Sequence, residues 1–259
     1  MNTIIKPLQL FNISSRRYLG NKFKLTGWIR TVIEENCDDF QSFFDVFSGT
    51  GSVASAFLDK RLVVCDMMYS NYLAALCWFS PQRINKEKLY EIISFYNEYD
   101  ASSETNYVSI NFSDTYFDKL NCQKIGFIRE DVETRFVNQE INERERAIII
   151  TSLIYAMDRI SHTCGHYDSF IRDGAYKGSL ELKFPDIEYD LNENNHIYCQ
   201  DSNLIAEREE VDVAYLDPPY NSRQYCDAYH FLENIAMWQK PEVFGLAKKM
   251  DRTKMKSKY

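Results

Sequence analysis

Between Gln41 and Phe57 an apolar, aromatic run, QSFFDVF, breaks at Ser48-Gly49-Thr50-Gly51-Ser52 and resumes as VASAF with apolar residues at helical spacing. A buried strand that turns through glycines into a helix is the opening of a βαβ unit, and it commits the chain to an α/β fold with a parallel sheet. The run RLVVCD (61–66) predicts the next strand, ending in an acid, and the apolar segment around Tyr72 to Phe79 predicts a helix. HIYCQD (196–201) and VDVAYLD (211–217) repeat the style of the first strands, each closing on a carboxylate, and predict two more strands of the same sheet. Residues 86–99 and 142–160 have helical spacing, with acids early in the second segment, whereas 100–140 and 164–190 show no clear period. The organisation expected is a sheet-bearing domain from 1–80 and 191–259, carrying an inserted helical recognition region at 81–190.

Composition bounds the function. With 259 residues, 45% hydrophobic and 26% charged, the chain has the make-up of one large globular domain and not of a disordered or fibrous protein. The longest apolar stretch, Ala147 to Met157, contains Thr151 and Ser152 and is shorter than the roughly 18 residues of a membrane span. The first residues carry no pattern of a secretory leader, so a cytoplasmic protein is expected. Seven scattered cysteines without a C-x-x-C spacing predict free thiols. His162, Cys164 and His166 offer ligands on one turn but have no second pair, and no metal is expected.

Net charge is −8, which argues against binding polyanions over the whole surface. The distribution is uneven: residues 1–30 carry Lys6, Arg16, Arg17, Lys22, Lys24 and Arg30 with no acid, and residues 240–259 carry seven bases against Glu242 and Asp251. Two basic ends on an acidic body suit either a local phosphate-facing strip or solvated termini.

The glycine turn Asp45-Val-Phe47-Ser-Gly49-Thr-Gly51-Ser52-Val-Ala54 has the form of a nucleotide-type cofactor loop, in which backbone and ligand approach closely. Taken alone it also satisfies the dinucleotide pattern of a nicotinamide-dependent oxidoreductase. Asp66, at the end of the next strand, is placed to accept ribose hydroxyls. Asp217-Pro218-Pro219-Tyr220 discriminates between the two. Two prolines fix the backbone and remove two N–H donors, leaving carbonyls that only accept, beside a carboxylate that does the same. Such a group suits a substrate amino group with two N–H bonds to donate, and Tyr220 supplies a face on which a base can stack.

Arg17-Tyr18-Leu-Gly20-Asn-Lys22, FFDVFSGTGSVA, CQDSN and YLDPPYNSRQY, taken in this order, resemble the D12-class, alpha-group, adenine-specific DNA methyltransferases of restriction–modification systems. GHYDSF (165–170) and NSRQY resemble a subset related to type IIS modification enzymes. The resemblance implies a Rossmann-like, S-adenosylmethionine-dependent methyltransferase fold that acts on adenine N6 of a flipped base in double-stranded DNA. It further implies that Tyr18, Gly20 and Lys22 form a first cofactor motif, and that Asp45, Phe47, Gly49, Gly51 and Ser52 surround the methionine part of S-adenosylmethionine. Asp66 would bind the ribose hydroxyls, and Asp201 would lie near the cofactor adenine, with Ser202 replacing the aromatic common there. Asp217, Pro218, Pro219 and Tyr220 would be catalytic. A cognate restriction endonuclease acting on the same site is the implied partner activity. RNA or protein amino groups share the same site chemistry.

Relatives carry further strands after DPPY, whereas the 39 residues after Tyr220 show a helical segment and a basic tail. A sheet of about four strands, lacking its C-terminal part and exposing an edge beside the active site, is therefore expected. The alternative that follows is a catalytically incomplete cofactor- and DNA-binding fragment whose sheet a second polypeptide completes. Arg129, Arg135, Lys177 and Lys183 are the basic residues of the insertion available to contact DNA.

Overall fold

Near-continuous apolar strands are the mark of a parallel sheet covered on both faces, and the central pair of this fold has that character. In the computed structural model, which describes residues 8–219 and 224–256, β1 (Leu10–Phe11) leads through α1 (Thr26–Asn36) to β2 (Ser42–Asp45) and β3 (Arg61–Cys65). Then follow α2 (Tyr69–Phe79), α3 (Lys86–Glu98), α4 (Tyr107–Phe112), α5 (Lys119–Val137) and α6 (Glu143–Ile160). The remaining elements are β4 (Phe184–Pro185), β5 (His196–Tyr198), α7 (Ser202–Ala206), β6 (Val213–Tyr215), α8 (Tyr225–Ala228) and α9 (His230–Met237). The main sheet has the parallel order β5-β3-β2-β6, and β1 pairs with β4 separately. This is the α/β architecture expected, consistent with a Rossmann-like methyltransferase, and among the described residues the main sheet has four strands.

Strand alternation sorts the core. Phe43, Leu62 and Val64 face the large apolar layer shared by α2, α6 and α9, while Phe44, Val63 and Cys65 face a small cluster closed by Ile205 of α7. Two side chains pin the register. The Asp212 carboxylate accepts from Gln41 N, Ser42 N and Ser42 Oγ, each at 2.8 Å, and Asn195 Oδ1 accepts from Leu62 N at 2.8 Å. Together they align the strands so that Asp45, Asp66 and Asp217 emerge at one edge, the carboxyl ends, where open α/β sheets bind ligands.

The helices at 86–98 and 143–160 match the sequence reading, the second opening on a capping box between Asn142 and Glu145. The unperiodic stretch 100–140 is different, for it contains α4 and the 19-residue α5. Its pattern is obscured because the buried face of α5 includes Asn121, Gln123 and Arg129. After the glycine turn the chain makes only a 3-10 turn, Ala54–Phe57, where a helix was expected. Nine residues separate Gly51 from β3 at Arg61, too few for a helix that must also return the chain to the start of the neighbouring strand. The segment after 224 is helical, as expected, in α8 and α9.

No helix among the described residues is long and apolar enough to cross a membrane. No group of three or more His, Cys, Asp or Glu among them is placed to hold a metal ion. His162 is buried and its ring packs on Tyr176, centroids 5.1 Å apart. The seven cysteines are unpaired.

Candidate functional site

Three strand ends deliver three carboxylates to one cleft. Asp45, at the end of β2, is 1% exposed and accepts the Ala54 N–H at 3.2 Å. Burial pushes its carboxyl up to about 7, and the Asp66 and Asp217 charges add to the rise. Asp66, just beyond β3, accepts Gly49 N and Met68 N, both at 2.8 Å. Burial raises its pKa too, while those two N–H groups oppose the rise. The next two orphan donors of α2, Tyr69 N and Ser70 N, go to Glu233 of α9 at 2.9 and 2.7 Å. Asp66 and Glu233 thus hold the helix start that shapes this wall. Asp217, just beyond β6, forms an ion pair at 2.5 Å with Lys22 Nζ, and that ammonium also donates to the Gly20 carbonyl at 3.1 Å.

The first motif reaches the glycine loop through Asn21, whose Oδ1 accepts from Ser52 Oγ at 2.9 Å. Ser52 in turn is 2.8 Å from Thr50 Oγ1. Tyr18 lies in a stack, 4.5 Å and 11° from Tyr229 and 5.5 Å and 19° from Tyr225. The buried Arg16 guanidinium lies over the Tyr18 ring at 5.0 Å, with Asp158 3.7 Å away. The Tyr229 hydroxyl accepts the Leu19 N–H at 2.7 Å. These contacts anchor residues 16–22 across the mouth of the sheet. Gly51 is required for a different reason: at φ +79° a Cβ there would lie 2.7 Å from the Phe79 ring.

Of the residues expected from sequence, Tyr18, Gly20, Lys22, Asp45, Phe47, Gly49, Ser52, Asp66, Asp217, Pro218 and Pro219 border this one cleft. Its space, open mouth included, is about 1100 Å³, sufficient for a nucleoside-sized cofactor beside a base. Gly51 does not border it and packs beneath the loop instead. Asp201 caps α7, accepting Asn203 N at 3.0 Å, while its neighbours Gln200 and Ser202 do reach the cleft. Tyr220 lies outside the described residues. Sequence reasoning assigned no role to Met68, Tyr215, Gln224, Tyr225 and Met255, which also line the cleft. Of these, Tyr215, Gln224 and Tyr225 had a signal, as members of YLDPPYNSRQY.

The expected basic contacts are largely spent internally. Arg129 is fully buried, donating to the Ile235 carbonyl at 2.7 Å and to Glu133 at 2.6 Å. It therefore does not face DNA. Arg135 pairs with Asp131 and Glu140. Lys177 is exposed and Lys183 half-buried. Of the two basic ends, Arg16, Lys22, Arg30, Lys240, Lys249 and Arg252 have acid partners, whereas Arg17, Lys24 and Lys256 are exposed and Lys248 is half-buried. Among the described residues, any phosphate-facing strip is thus smaller than the charge count suggests.

Comparison with known proteins converges on the same chemistry. Residues 18–259 match the family model of the D12 class N6 adenine-specific DNA methyltransferase. The chain belongs to this family. It is 34% identical over 254 residues to the Type II methyltransferase M.FokI of Planomicrobium okeanokoites, covering 88% of this chain and 38% of the relative. It is 29% identical over 266 residues to the modification methylase StsI of Streptococcus sanguinis, covering 94% and 39%. With the Type II methyltransferase M.NlaIII of Neisseria lactamica it shares 27% identity over 230 residues, covering 85% and 69%. The chain spans about two fifths of the length of the first two relatives. In this D12-class chain the acid-ended strands and the proline pair border one cleft. The nicotinamide reading, which rested on the glycine loop alone, has no support from these relatives.

Proposed function

We propose that this D12-class chain transfers a methyl group from S-adenosylmethionine to N6 of an adenine flipped out of double-stranded DNA, in the cytoplasm, as the modification arm of a restriction–modification pair. The observation that carries the reading is the convergence of Asp45, Asp66 and Asp217-Pro218-Pro219 on one cleft beside the glycine loop. The cleft fits the cofactor: buried carboxylates suit a cation and a ribose diol, and the positive-φ loop lets main chain approach closely. Asp45, Phe47, Gly49 and Ser52 would hold its methionine part, with Gly51 supporting the loop from below. Asp66 would hold the ribose, and Asp201, through its neighbours, the adenine end. When bound, S-adenosylmethionine supplies an electrophilic methyl on a sulfonium.

The chain's own residues then do three things. Asp217 and the Pro218 carbonyl accept the two N6–H bonds, which returns the nitrogen lone pair from the ring and stabilises the positive charge that develops. Lys22 neutralises Asp217 before the base arrives and must give up part of that pairing to the amino group. Tyr220 would hold the ring, and the released proton leaves to Asp217 or water. Orientation and electrostatics supply the acceleration. Extruding the base costs a few kcal/mol of stacking. We assign that work to contacts made by residues 81–190, with 1–80 and 191–259 holding the cofactor.

The test is transfer of labelled methyl from S-adenosylmethionine to unmethylated bacterial DNA by the 259-residue chain. Label on adenine N6 is the expected result, and label on cytosine, RNA or protein alone would overturn the assignment. The family match does not favour the second reading, in which another polypeptide extends the sheet; its one support is the edge that β6 forms among the described residues. Tyr215 O accepts Val46 N at 3.1 Å, so the alternate residue Ala214 turns its N–H and C=O to the open side, and Leu216 beside it is 67% exposed. Activity that appears only when a second chain is added would identify that case.

Asp45 makes cofactor binding pH-dependent. Burial pushes its carboxyl up to about 7, and a sulfonium binds the ionised form better. Affinity for S-adenosylmethionine should therefore rise about tenfold from roughly pH 6 to 8. Titration calorimetry at both pH values measures it, and Asp45→Asn should flatten the profile.

A further inference from the structure

Two stacked tyrosines line the cleft, their ring centroids 5.5 Å apart. Tyr18 lies against the glycine loop: a Cβ at Gly49 would lie 3.4 Å from its ring, and its hydroxyl accepts from Asn71 Nδ2 at 2.9 Å. Tyr225 lines the same cleft as Pro218 and Pro219. Its hydroxyl lies 3.0 Å from where a Cβ of Gly20 would be, and Gly20 has φ +74°, so the tip of the ring rests against main chain that only glycine leaves open. The carbonyl of that glycine accepts from Lys22, whose ammonium holds Asp217. Tyr225 is thus joined to the carboxylate that receives the amino group by one continuous line of contacts.

The ring is also held in place by its neighbours. It is near-parallel to Tyr18 and Tyr229, at 19° and 22°, yet it remains half-buried and borders the cleft beside Pro219, Gln224 and Met255. A carboxylate and a carbonyl define where an amino group sits, but two acceptors by themselves leave the plane of its ring free to rotate, and a single face, the one assigned to Tyr220, clamps it from one side only. A second, fixed aromatic face beside them removes that freedom, at little ordering cost because the side chain is already stacked.

We propose that Tyr225 is a base-binding residue, its ring forming the wall on which an extruded nucleobase stacks beside Asp217. The inference rests on the reading of the cleft as a methyl-transfer site. Stacking on an aromatic face tolerates any base, so Tyr225 sets orientation and affinity while Asp217-Pro218 selects the amino group.

The test uses the full chain and a short single-stranded oligonucleotide containing 2-aminopurine, whose emission falls when it stacks. Single-stranded DNA presents the base without a recognition sequence or extrusion cost. Wild type and Tyr225→Phe should bind and quench alike. Tyr225→Ala should bind roughly five- to a hundredfold more weakly, the loss of one base–aromatic stack, and leave emission unquenched, with affinity for S-adenosylmethionine unchanged by calorimetry. Two results would overturn the proposal: quenching by Tyr225→Ala equal to wild type, or cofactor affinity that falls in step with base affinity, which marks a purely structural ring. Wild type that binds S-adenosylmethionine but never quenches overturns the base wall alone. Wild type that binds neither ligand overturns the reading of the cleft along with it.

Discussion

Replacing Asp217 by Ala should abolish most methyl transfer while leaving the cofactor bound. In the proposed mechanism Asp217 is one of two acceptors aimed at the amino group, and removing a single preorganised electrostatic partner of this kind costs about 100- to 1000-fold in rate. The carboxylate pairs with Lys22, is assigned to the base and not to the cofactor, and acts on Asp45 only as one of the smaller causes of that group's raised pKa, so affinity for S-adenosylmethionine should change little. Asp217→Asn keeps one acceptor oxygen but points an NH₂ at a substrate that itself donates, and it should recover only a small part of the loss. Single-turnover transfer of labelled methyl reads the effect. An Ala variant within tenfold of wild type would remove Asp217 from the chemistry.

The second large effect concerns stability. Arg129, although basic and within the expected recognition region, is buried against the end of α9. There it donates to the Ile235 carbonyl at 2.7 Å, pairs with Glu133 and packs on Trp238 with its guanidinium carbon 5.1 Å from the ring. Burial lowers its pKa to about 10, and Glu133 opposes the shift, so it stays charged at neutral pH. Arg129→Ala leaves the last carbonyls of α9 without a donor and a cavity beside Trp238. The expected loss is about 3–5 kcal/mol, or a fall in Tm of roughly 6–20 °C for a chain of this size, read by thermal denaturation. A variant that melts like wild type and only binds DNA more weakly would return Arg129 to the nucleic-acid surface.

That correction shows where reading a chain residue by residue stops. The acid-ended strands, the glycine turn and the proline pair are local statements: alternation, φ freedom and missing N–H donors are properties of neighbouring residues. Their order along the chain was enough to place eleven of the expected site residues in one cleft. Helix α5 escaped because its buried face carries Asn121, Gln123 and Arg129, polar groups satisfied by partners far away in the chain. The glycine turn did not lead into a regular helix because the return to β3 is too short, a constraint set by the register of two strands.

From the sequence alone, then, came the α/β class, the family resemblance and the chemical type of the site, since these follow from backbone rules and from which residues accept or donate. The tertiary structure decided which bases remain available to phosphate, since burial and ion pairing depend on the packing of distant elements. It also brought Tyr225 against Gly20 and Glu233 under the start of α2. Those contacts join opposite ends of the chain, and no local pattern encodes them.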